Sequence, residues 1–356
     1  MRIAYLGQMA DIATENGISK KIRAQCLAWQ AAGHEVCYFS LTPSAAVWPG
    51  MQSVPVEVFP RGRWLTRLRQ SWRLARRILV SRPDVIYFRY AYHSPGLVRL
   101  FREIPTIAEI NSDDRAEYPL TLSRTKVAYH RLTRNRVLRA VGGFIAVTRE
   151  LAERLAGFGK PCQVIANGIT FADFPVLPPP DRERPPRLVF MGSAGSPWHG
   201  LTRVAALARL FPSWPIDIIG ESVPDAPPTA GMHFHGALPR ERYEPLLRAA
   251  TVAIGTMALY IKNMDEACPL KVREYLAEGL PVIAAYRDTD IPDAADYFLR
   301  LPNTANGLDA HRERIARFID SWQGRRVPRQ SVQQLDSAGK EAHRLAFLDQ
   351  IRATRS

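Results

Sequence analysis

The stretch from Asp265 to Ala285, DEACPLKVREYLAEGLPVIAA, restricts the possible folds more than any other part of the sequence. A polar turn ending at Pro269 leads into a helix-forming run from Leu270 to Glu278, and Gly279 supplies a helix stop. The apolar residues 280–285 that follow have the length and composition of a strand. This order predicts a loop–helix–strand unit, which is half of a βαβ unit, and hence an α/β fold.

The start of this helix has the chemistry of an anion site. We expect free N–H groups near Leu270, Lys271 and Val272, where the helix dipole and the lysine both place positive charge. Glu266 and Glu274 flank the site, and carboxylates accept hydrogen bonds from sugar hydroxyls. A phosphate-bearing sugar is the predicted ligand class. The spacing alone leaves open an ordinary solvated amphipathic helix.

The segment PLKVREYLAEGLPVIA resembles the E-x(7)-E motif of retaining glycosyltransferases with the GT-B fold, in glycosyltransferase family four. The resemblance implies two Rossmann-like domains facing each other across a cleft. It implies that Glu266 contacts the donor sugar, that Glu274 contacts the nucleotide ribose, and that Pro269 and Leu270 lie beside the donor. The turn from Gly236 to Leu238 resembles the one beside the nucleotide base in this family.

Two glycine-bearing loops follow predicted first strands. Gly17 begins a predicted helix over 17–32, after a loop over 7–16, and lets the backbone approach a ligand closely. The G-x-G-x-x-G pattern of dinucleotide-binding proteins is absent. The loop resembles the glycine loop after the first strand of the same glycosyltransferases, with a plain βα turn as the alternative.

The second loop, GSAGSPWHG over 192–200, contains Gly195 and also precedes a predicted helix. Members of the resembling family usually carry Arg after the first glycine and Lys before the last. Ser193 and His199 occupy those places here, so we expect Lys271 to be the main cation on the diphosphate. His199 is then a neutral or charged donor, or alternatively an ordinary surface histidine.

The predicted strand over 105–110 runs into Asn111, and ligands of open α/β sheets bind at the carboxyl ends of strands. Glu109, Asn111 and Asp113 are therefore candidate site residues on the acceptor side. The resembling family often has a histidine in this region, and Asn111 replaces it.

The charge of the chain is uneven. The net charge is +14, and residues 1–175 hold 25 Lys and Arg against 13 Asp and Glu. Eight arginines in residues 61–82 stand among Trp64, Trp72 and other apolar residues at helical spacing. Arg with Trp is typical of a helix at a membrane interface, although such a helix also fits against a sheet. An anionic partner, lipid or nucleic acid, is expected.

The remaining patterns set the class and the domains. The absence of a long apolar run and of a signal-peptide pattern predicts a cytoplasmic protein, and four scattered cysteines predict reduced thiols. The predicted division is an N-terminal domain over 1–171, a proline-rich linker over 172–186, a donor-binding domain over 187–330, and a helix over 331–356 that crosses back to the first domain.

The predicted function is a retaining, metal-independent glycosyltransferase with a nucleotide-diphosphate sugar as donor and no cofactor. Asp288 and Asp290 follow a strand rather than forming a convincing metal pair, and His233 and His235 lack a third ligand. A glycan or lipid-linked acceptor and an anionic membrane surface are the expected partners, without nucleic acid. The alternatives are a basic nucleic-acid-binding protein, a non-catalytic sugar-nucleotide-binding protein, and a phosphorylase or epimerase of the same fold.

Overall fold

The computed structural model describes residues 1–7, 17–42, 54–60, 64–222 and 229–354. The chain divides into two compact units. Unit 1 comprises Met1–Ala166 and Ser337–Ser356, and unit 2 comprises Asn167–Asp336. The proline-rich residues 172–186, all of them described, belong to unit 2 and contain no α-helix or strand. Proline cannot donate a backbone hydrogen bond, which accounts for this irregular segment.

Within its described residues, unit 1 contains a seven-stranded parallel sheet with the order β3-β2-β1-β4-β5-β6-β7. The strands β1, β4, β5 and β6 are almost entirely buried, as expected where helices cover both faces of a parallel sheet. The strands are β1 (Arg2–Gly7), β2 (Glu35–Thr42), β3 (Val56–Pro60), β4 (Val85–Arg89), β5 (Thr106–Ile110), β6 (Gly143–Ala146) and β7 (Cys162–Val164).

Helices follow most of these strands. They are α1 (Gly17–Ala31), α2 (Trp64–Ser81), α3 (Pro95–Glu103), α4 (Asp114–Thr121), α5 (Arg124–Ala140) and α6 (Arg149–Leu155). Thr148 is the N-cap of α6, and its hydroxyl accepts a hydrogen bond from the Leu151 N–H at 3.1 Å. At the centre of unit 1, Trp29 packs against Tyr5 and Tyr87 with ring centroids 5.6 and 5.0 Å away.

The exposed face of α2 is not the one that packs on the sheet. Its buried side chains include Leu74 and Ile78, whereas Trp72 is 48% exposed and Leu79 38% exposed. Trp72 and Leu79, seven residues apart, share a face of the helix, and that face is in contact with solvent. The described part of the structure does not include the side chains at positions 64, 65, 67 and 68, nor residues 61–63, which the sequence predicted to be helical.

Unit 2 contains a second parallel sheet, of six described strands in the order β10-β9-β8-β11-β13-β15, and a separate pair of strands, β12 and β14. The strands are β8 (Leu188–Met191), β9 (Ile216–Ile219), β10 (Met232–Gly236), β11 (Val252–Ile254), β12 (Glu266–Ala267), β13 (Val282–Ala284), β14 (Arg287–Asp288) and β15 (Phe298–Arg300). The helices are α7 (Leu201–Leu210), α8 (Arg240–Ala249), α9 (Leu270–Ala277) and α10 (Arg312–Trp322).

The last helix, α11 (Ser337–Ala353), belongs to unit 1, where Phe347, Leu348 and Ile351 join the core. The sequence predicted a helix over 331–356, but α11 begins only at Ser337. Residues Arg329–Leu335 form a 3₁₀ segment interrupted at Val332, whose φ of −123° and ψ of 16° are not helical. The α-helix therefore begins only after this break.

In each sheet the strand order reverses once beside the first strand of the unit. The reversal lies between β1 and β4 in unit 1, and between β8 and β11 in unit 2. Ligands of open α/β sheets bind outside the carboxyl ends of the strands at such a switch point. The loop over 192–200, which follows β8, lies at the switch point of unit 2.

Candidate functional site

The start of α9 is built as the sequence predicted, with one correction. Pro269 is the N-cap residue, in an extended conformation, and Leu270 is the first helical residue. Gly279 has a φ of +84° and ends the helix, as predicted. Val272 does not have a free N–H, because it donates to the Pro269 carbonyl at 3.1 Å. The N–H groups of Leu270 and Lys271 precede this first bond and remain for a ligand.

Lys271 lies at the switch point of unit 2. Its Nζ donates to the Met191 carbonyl at the end of β8, at 2.7 Å, and lies 4.4 Å from the centroid of the Phe190 ring. Burial lowers the pKa of Lys271 to about 7, and the nearby Glu221 carboxylate acts in the opposite direction. Without an anion, the amine is therefore partly deprotonated at neutral pH. A bound phosphate would favour the protonated form.

The loop over 192–200 supplies the opposite side of this site. Gly195 is exposed with a φ of +79°, and Gly200 has a φ of +81°. A side chain at Gly200 would meet Met257 Cβ at 2.8 Å and the Ala258 nitrogen at 2.9 Å. The Met257 N–H donates to the His199 carbonyl at 3.0 Å, which ties the loop to the segment after β11. The loop and Lys271 thus meet at the two strands that flank the switch point.

His199 is neutral in this setting. Burial and the charges of Lys271 and Lys262 hold the pKa of His199 well below its ordinary value. Its Nδ1 accepts a hydrogen bond from the Ser193 N–H at 3.2 Å. The ring proton is therefore on Nε2, which makes His199 a neutral hydrogen-bond donor and not a cation.

Glu274 is half-buried on α9 and has partners that the sequence did not predict. Its Oε1 accepts from Arg240 at 3.0 Å and from the Tyr243 hydroxyl at 2.6 Å, both of α8. Arg240 also pairs with Glu278 and lies 4.8 Å from the centroid of the Phe174 ring. Within the described residues Glu274 Oε2 has no partner, and it is oriented by the two bonds to Oε1. No spacing rule links α8 to this carboxylate.

Glu278 adds a second titratable carboxyl next to Glu274. Its side chain is fully buried, and burial raises the pKa of Glu278 to about 7 although Arg240 donates to it. The negative charge of Glu274 acts in the same direction as burial. This part of unit 2 therefore changes its charge near neutral pH.

Glu266 lies in β12, three residues before the N-cap of α9, and its side chain is fully buried. The neighbouring strand β14 carries Asp288, which pairs in a bidentate manner with the buried Arg273 at 2.8 Å. Asp290 also accepts from Arg273, at 3.2 Å. These two aspartates are thus occupied by an arginine of α9.

The turn after β10 lies at the carboxyl edge of the unit 2 sheet. Gly236 ends β10 with a φ of +65°, and its carbonyl accepts from the Gly220 N–H at 2.7 Å. Leu238 is half-buried in the connection to α8, two residues before Arg240. Nearby, His235 of β10 pairs with Asp217 at 2.8 Å.

In unit 1, Asn111 follows β5 and belongs to a buried ionic cluster. Its Oδ1 accepts from Lys21 of α1 at 3.2 Å, and its Nδ2 donates to Glu109 at 3.0 Å. Glu109 is fully buried and accepts from Lys21 at 2.7 Å and from Arg89 at 3.2 Å. Burial lowers the pKa of Lys21 to about 8, against the effect of Glu109. Lys21 and Arg89 were not predicted, because they are far from Asn111 in sequence.

The other predicted positions of unit 1 are described only in part. Gly17 is exposed at the first position of α1. The loop over 8–16 before it lies outside the described residues. Asp113 caps α4 by accepting from the Arg115 N–H at 2.9 Å and pairs with Arg154. In the described ranges, no group of three or more His, Cys, Asp and Glu side chains is arranged to hold a metal ion.

The comparisons with known proteins bear on the fold and on part of the chain. Residues 16–168 match the family model of a glycosyl transferase 4-like domain. The comparison with curated proteins gives no match.

Among solved structures, sucrose-phosphate synthase from Thermosynechococcus elongatus is similar with a TM-score of 0.73, 17% identity, and 99% of each chain covered. The lipopolysaccharide outer core galactosyltransferase WaaB has a TM-score of 0.68 and 12% identity, over 98% of this chain and 99% of its own. Anabaena HepE in complex with UDP-glucose has a TM-score of 0.66 and 16% identity, over 98% of this chain and 100% of its own. At these identities the likeness shows the fold, which is GT-B.

Proposed function

We propose that this glycosyltransferase of the GT-B type is a retaining enzyme that uses a nucleotide-diphosphate sugar without a metal ion. The observation that carries the proposal is the convergence of Lys271, the first N–H groups of α9 and His199 at the switch point of unit 2. The structure of HepE with UDP-glucose supports the choice of donor class.

Each part of the donor has a partner in this proposal. The diphosphate binds the N–H groups of Leu270 and Lys271, the Lys271 ammonium, and the Nε2–H of His199. The ribose hydroxyls donate to Glu274 Oε2, the oxygen left open by Arg240 and Tyr243. The resemblance assigns Glu266 to the sugar, and because its side chain is fully buried in the free protein, donor binding would have to uncover it.

The proposed reaction exchanges one glycosidic bond for another. The bond from the sugar C1 to the diphosphate oxygen breaks, and the nucleoside diphosphate leaves with the electron pair. The acceptor hydroxyl oxygen bonds to C1 on the same face, and its proton passes to an oxygen of the diphosphate. Lys271, His199 and the helix N–H groups stabilise the developing negative charge. No protein base is required for this step.

The proposal of metal independence rests on the side chains that could hold a metal ion. Protein-bound Mg²⁺ is usually held by carboxylates together with substrate phosphates. The Asp288 and Asp290 carboxylates instead pair with Arg273. Lys271 and the helix N-terminus would supply the positive charge that a metal gives in other enzymes. A transfer assay with and without EDTA tests this part, and loss of activity restored by Mg²⁺ would contradict it.

A thermal-shift panel of UDP-, GDP- and ADP-sugars tests donor binding. A bound donor raises the melting temperature as its concentration exceeds the dissociation constant. We expect one nucleotide class to raise it, and Lys271→Met to lose most of this shift. A panel without any shift would contradict the proposal. Determination of the product anomer by NMR then separates retention from inversion, and a transfer product separates this enzyme from a phosphorylase or an epimerase.

We also propose that unit 1 binds an anionic membrane surface, where a lipid-linked or glycan acceptor is presented. Residues 1–175 carry 12 more positive than negative side chains, 25 against 13. The exposed face of α2 combines Trp72 and Leu79 with Arg69, Arg73 and Arg76, all exposed. Each basic residue near an anionic leaflet contributes about 1 kcal/mol. Among the described helices, none has the length and apolar character needed to cross a bilayer.

Sedimentation with vesicles of mixed neutral and anionic lipid tests the membrane proposal. We expect binding that weakens at high salt and is lost when Arg69, Arg73 and Arg76 are changed to Ser. The matched control changes three exposed arginines of unit 2 to Ser and removes the same charge: Arg242, Arg314 and Arg317. Equal loss in both triple variants, or no binding by the wild type, would favour a soluble acceptor.

A further inference from the structure

Unit 1 contains a cavity of about 350 Å³ between α4 and α5, here named the α4–α5 cavity. It is lined by cationic and polar side chains, among them Arg115, Tyr118, His130, Arg131, Arg134 and Asn135. Small-molecule sites usually have volumes of about 300–1,000 Å³. Because α4 begins four residues after β5 ends, the cavity lies beside the carboxyl edge of the sheet, where ligands of this fold class bind.

The acidic residue of the cavity, Asp114, is fully engaged. Its Oδ2 accepts from His130 Nε2 at 2.6 Å, from Arg134 Nε at 2.7 Å and from the Tyr90 hydroxyl at 2.9 Å. Hydrogen bonds and charge from His130 and Arg134 outweigh burial and lower the pKa of Asp114 to about 2. Asp114 is therefore ionised at neutral pH and orients the two basic side chains.

His130 and Arg134 both have nitrogen atoms without a hydrogen-bond partner among the described residues. His130 is 2% exposed, and its Nδ1 is buried with no hydrogen-bond partner in the described part of the chain. Arg134 bonds to Asp114 only through Nε, so both of its terminal nitrogens lack a hydrogen-bond partner among the described residues. The terminal nitrogens of Arg134 are therefore available to donate hydrogen bonds to a bound anion.

The cavity also has more positive than negative charge. Arg115 and Arg131 are exposed at its edge and form no ion pair with any described residue. The single carboxylate, Asp114, is balanced by Arg134. Two positive charges remain even with a neutral histidine, and planar guanidinium groups match the oxygens of a phosphate. A metal ion is disfavoured because one carboxylate is surrounded by cations.

We infer that the α4–α5 cavity binds a phosphate group carried by the acceptor. Arg115, Arg131 and Arg134 would bind the phosphate oxygens, and His130 would keep Asp114 in place through its Nε2. The volume exceeds that of a phosphate alone and leaves room for part of a sugar. This inference rests on the proposed transferase function, since it names the chemistry of the acceptor.

A lipid-linked phosphate and a soluble sugar phosphate share this chemistry, so both serve as probes. Glucose 6-phosphate is titrated by calorimetry, and phosphatidylcholine vesicles doped with dodecyl phosphate are tested by sedimentation. The cavity variant is Arg115→Gln with Arg131→Gln. The matched control is Arg136→Gln with Arg139→Gln, which removes the same charge from exposed positions of α5 that do not line the cavity.

We expect the cavity variant to weaken binding of at least one probe ten-fold or more, and the control to change it less than two-fold. Because phosphates also fit the donor site, the titration is repeated with Lys271→Met, which should keep the binding. His130→Gln should also weaken it, in a protein whose melting temperature shows that it is folded. The probe that binds identifies the source of the phosphate.

Three results would overturn the inference. They are equal losses in the cavity and control variants, loss of probe binding in Lys271→Met, and no binding of either probe by wild-type protein. Nucleotide-sugar binding is measured on the same samples. If it persists without probe binding, the cavity inference fails and the transferase proposal stands. If probes bind but no nucleotide sugar does, the transferase proposal fails and the cavity cannot be assigned to an acceptor.

Discussion

Donor affinity should fall as the pH rises above 7, because Lys271 must take up a proton to bind the diphosphate as a cation. Its pKa of about 7 in the free protein results from burial beside Met191 and Phe190. A bound diphosphate places negative charge near the amine and raises this pKa. The protonated fraction of the free enzyme therefore controls the affinity between the two pKa values. His199, whose pKa lies well below 7, stays neutral throughout this range.

The size of the effect follows from the protonated fraction. With a pKa near 7, about half of the free amine is protonated at pH 7 and about one hundredth at pH 9. The apparent affinity should therefore fall up to about 50-fold between these values, which corresponds to about 2.3 kcal/mol. Both phosphates of a nucleotide sugar are esterified, so the ligand keeps its charge over this interval.

Calorimetric titrations at several pH values, in buffers with different ionisation enthalpies, measure both the affinity and the proton uptake. Lys271→Arg should remove most of the pH dependence, because a guanidinium remains protonated. Glu278 also titrates near pH 7, with a pKa raised to about 7 by burial, so Glu278→Gln is measured in parallel. A pH-independent affinity, or the same slope in Lys271→Arg, would refute the assignment of the titration to Lys271.

Three further changes give defined outcomes. Glu274→Ala should weaken donor binding by roughly 1.5–3 kcal/mol, the usual contribution of a hydrogen bond to a charged group. The affinity is measured by calorimetry on folded protein, and an unchanged value would contradict the prediction. Gly200→Ala should lower the free energy of unfolding, measured in urea, by about 1–3 kcal/mol, because φ is +81° and a Cβ would lie close to Met257 and Ala258 atoms. An unchanged free energy of unfolding would mean that the loop relaxes around the new side chain. Thr148→Ala should cost about 1 kcal/mol of stability through loss of the α6 cap, and an exposed threonine, Thr125, changed to Ala serves as the control.

The fold class could be predicted because its signals are local. Strand-length apolar runs and a glycine stop at Gly279 depend on a few consecutive residues, and both were confirmed. Among the elements that were not predicted are β3, α3 and α4, which are short and contain proline in positions that read as turns. Pairing with β2 and packing against α2 and α5 stabilise them, and those contacts are not visible in a local pattern.

The candidate site also has features that the sequence predicted and features that only the tertiary structure decided. The sequence by itself was enough to locate the start of α9 and the glycine loop over 192–200, because both are recognised from residue spacing along the chain. The tertiary structure decided that Arg240 and Tyr243 orient Glu274, and that Asp114 and His130 meet beside a cavity. It also decided the charge states, since the pKa values of Lys271 and His199 depend on burial and on neighbours distant in sequence. Desolvation and electrostatics act through space, and only the folded chain sets those distances.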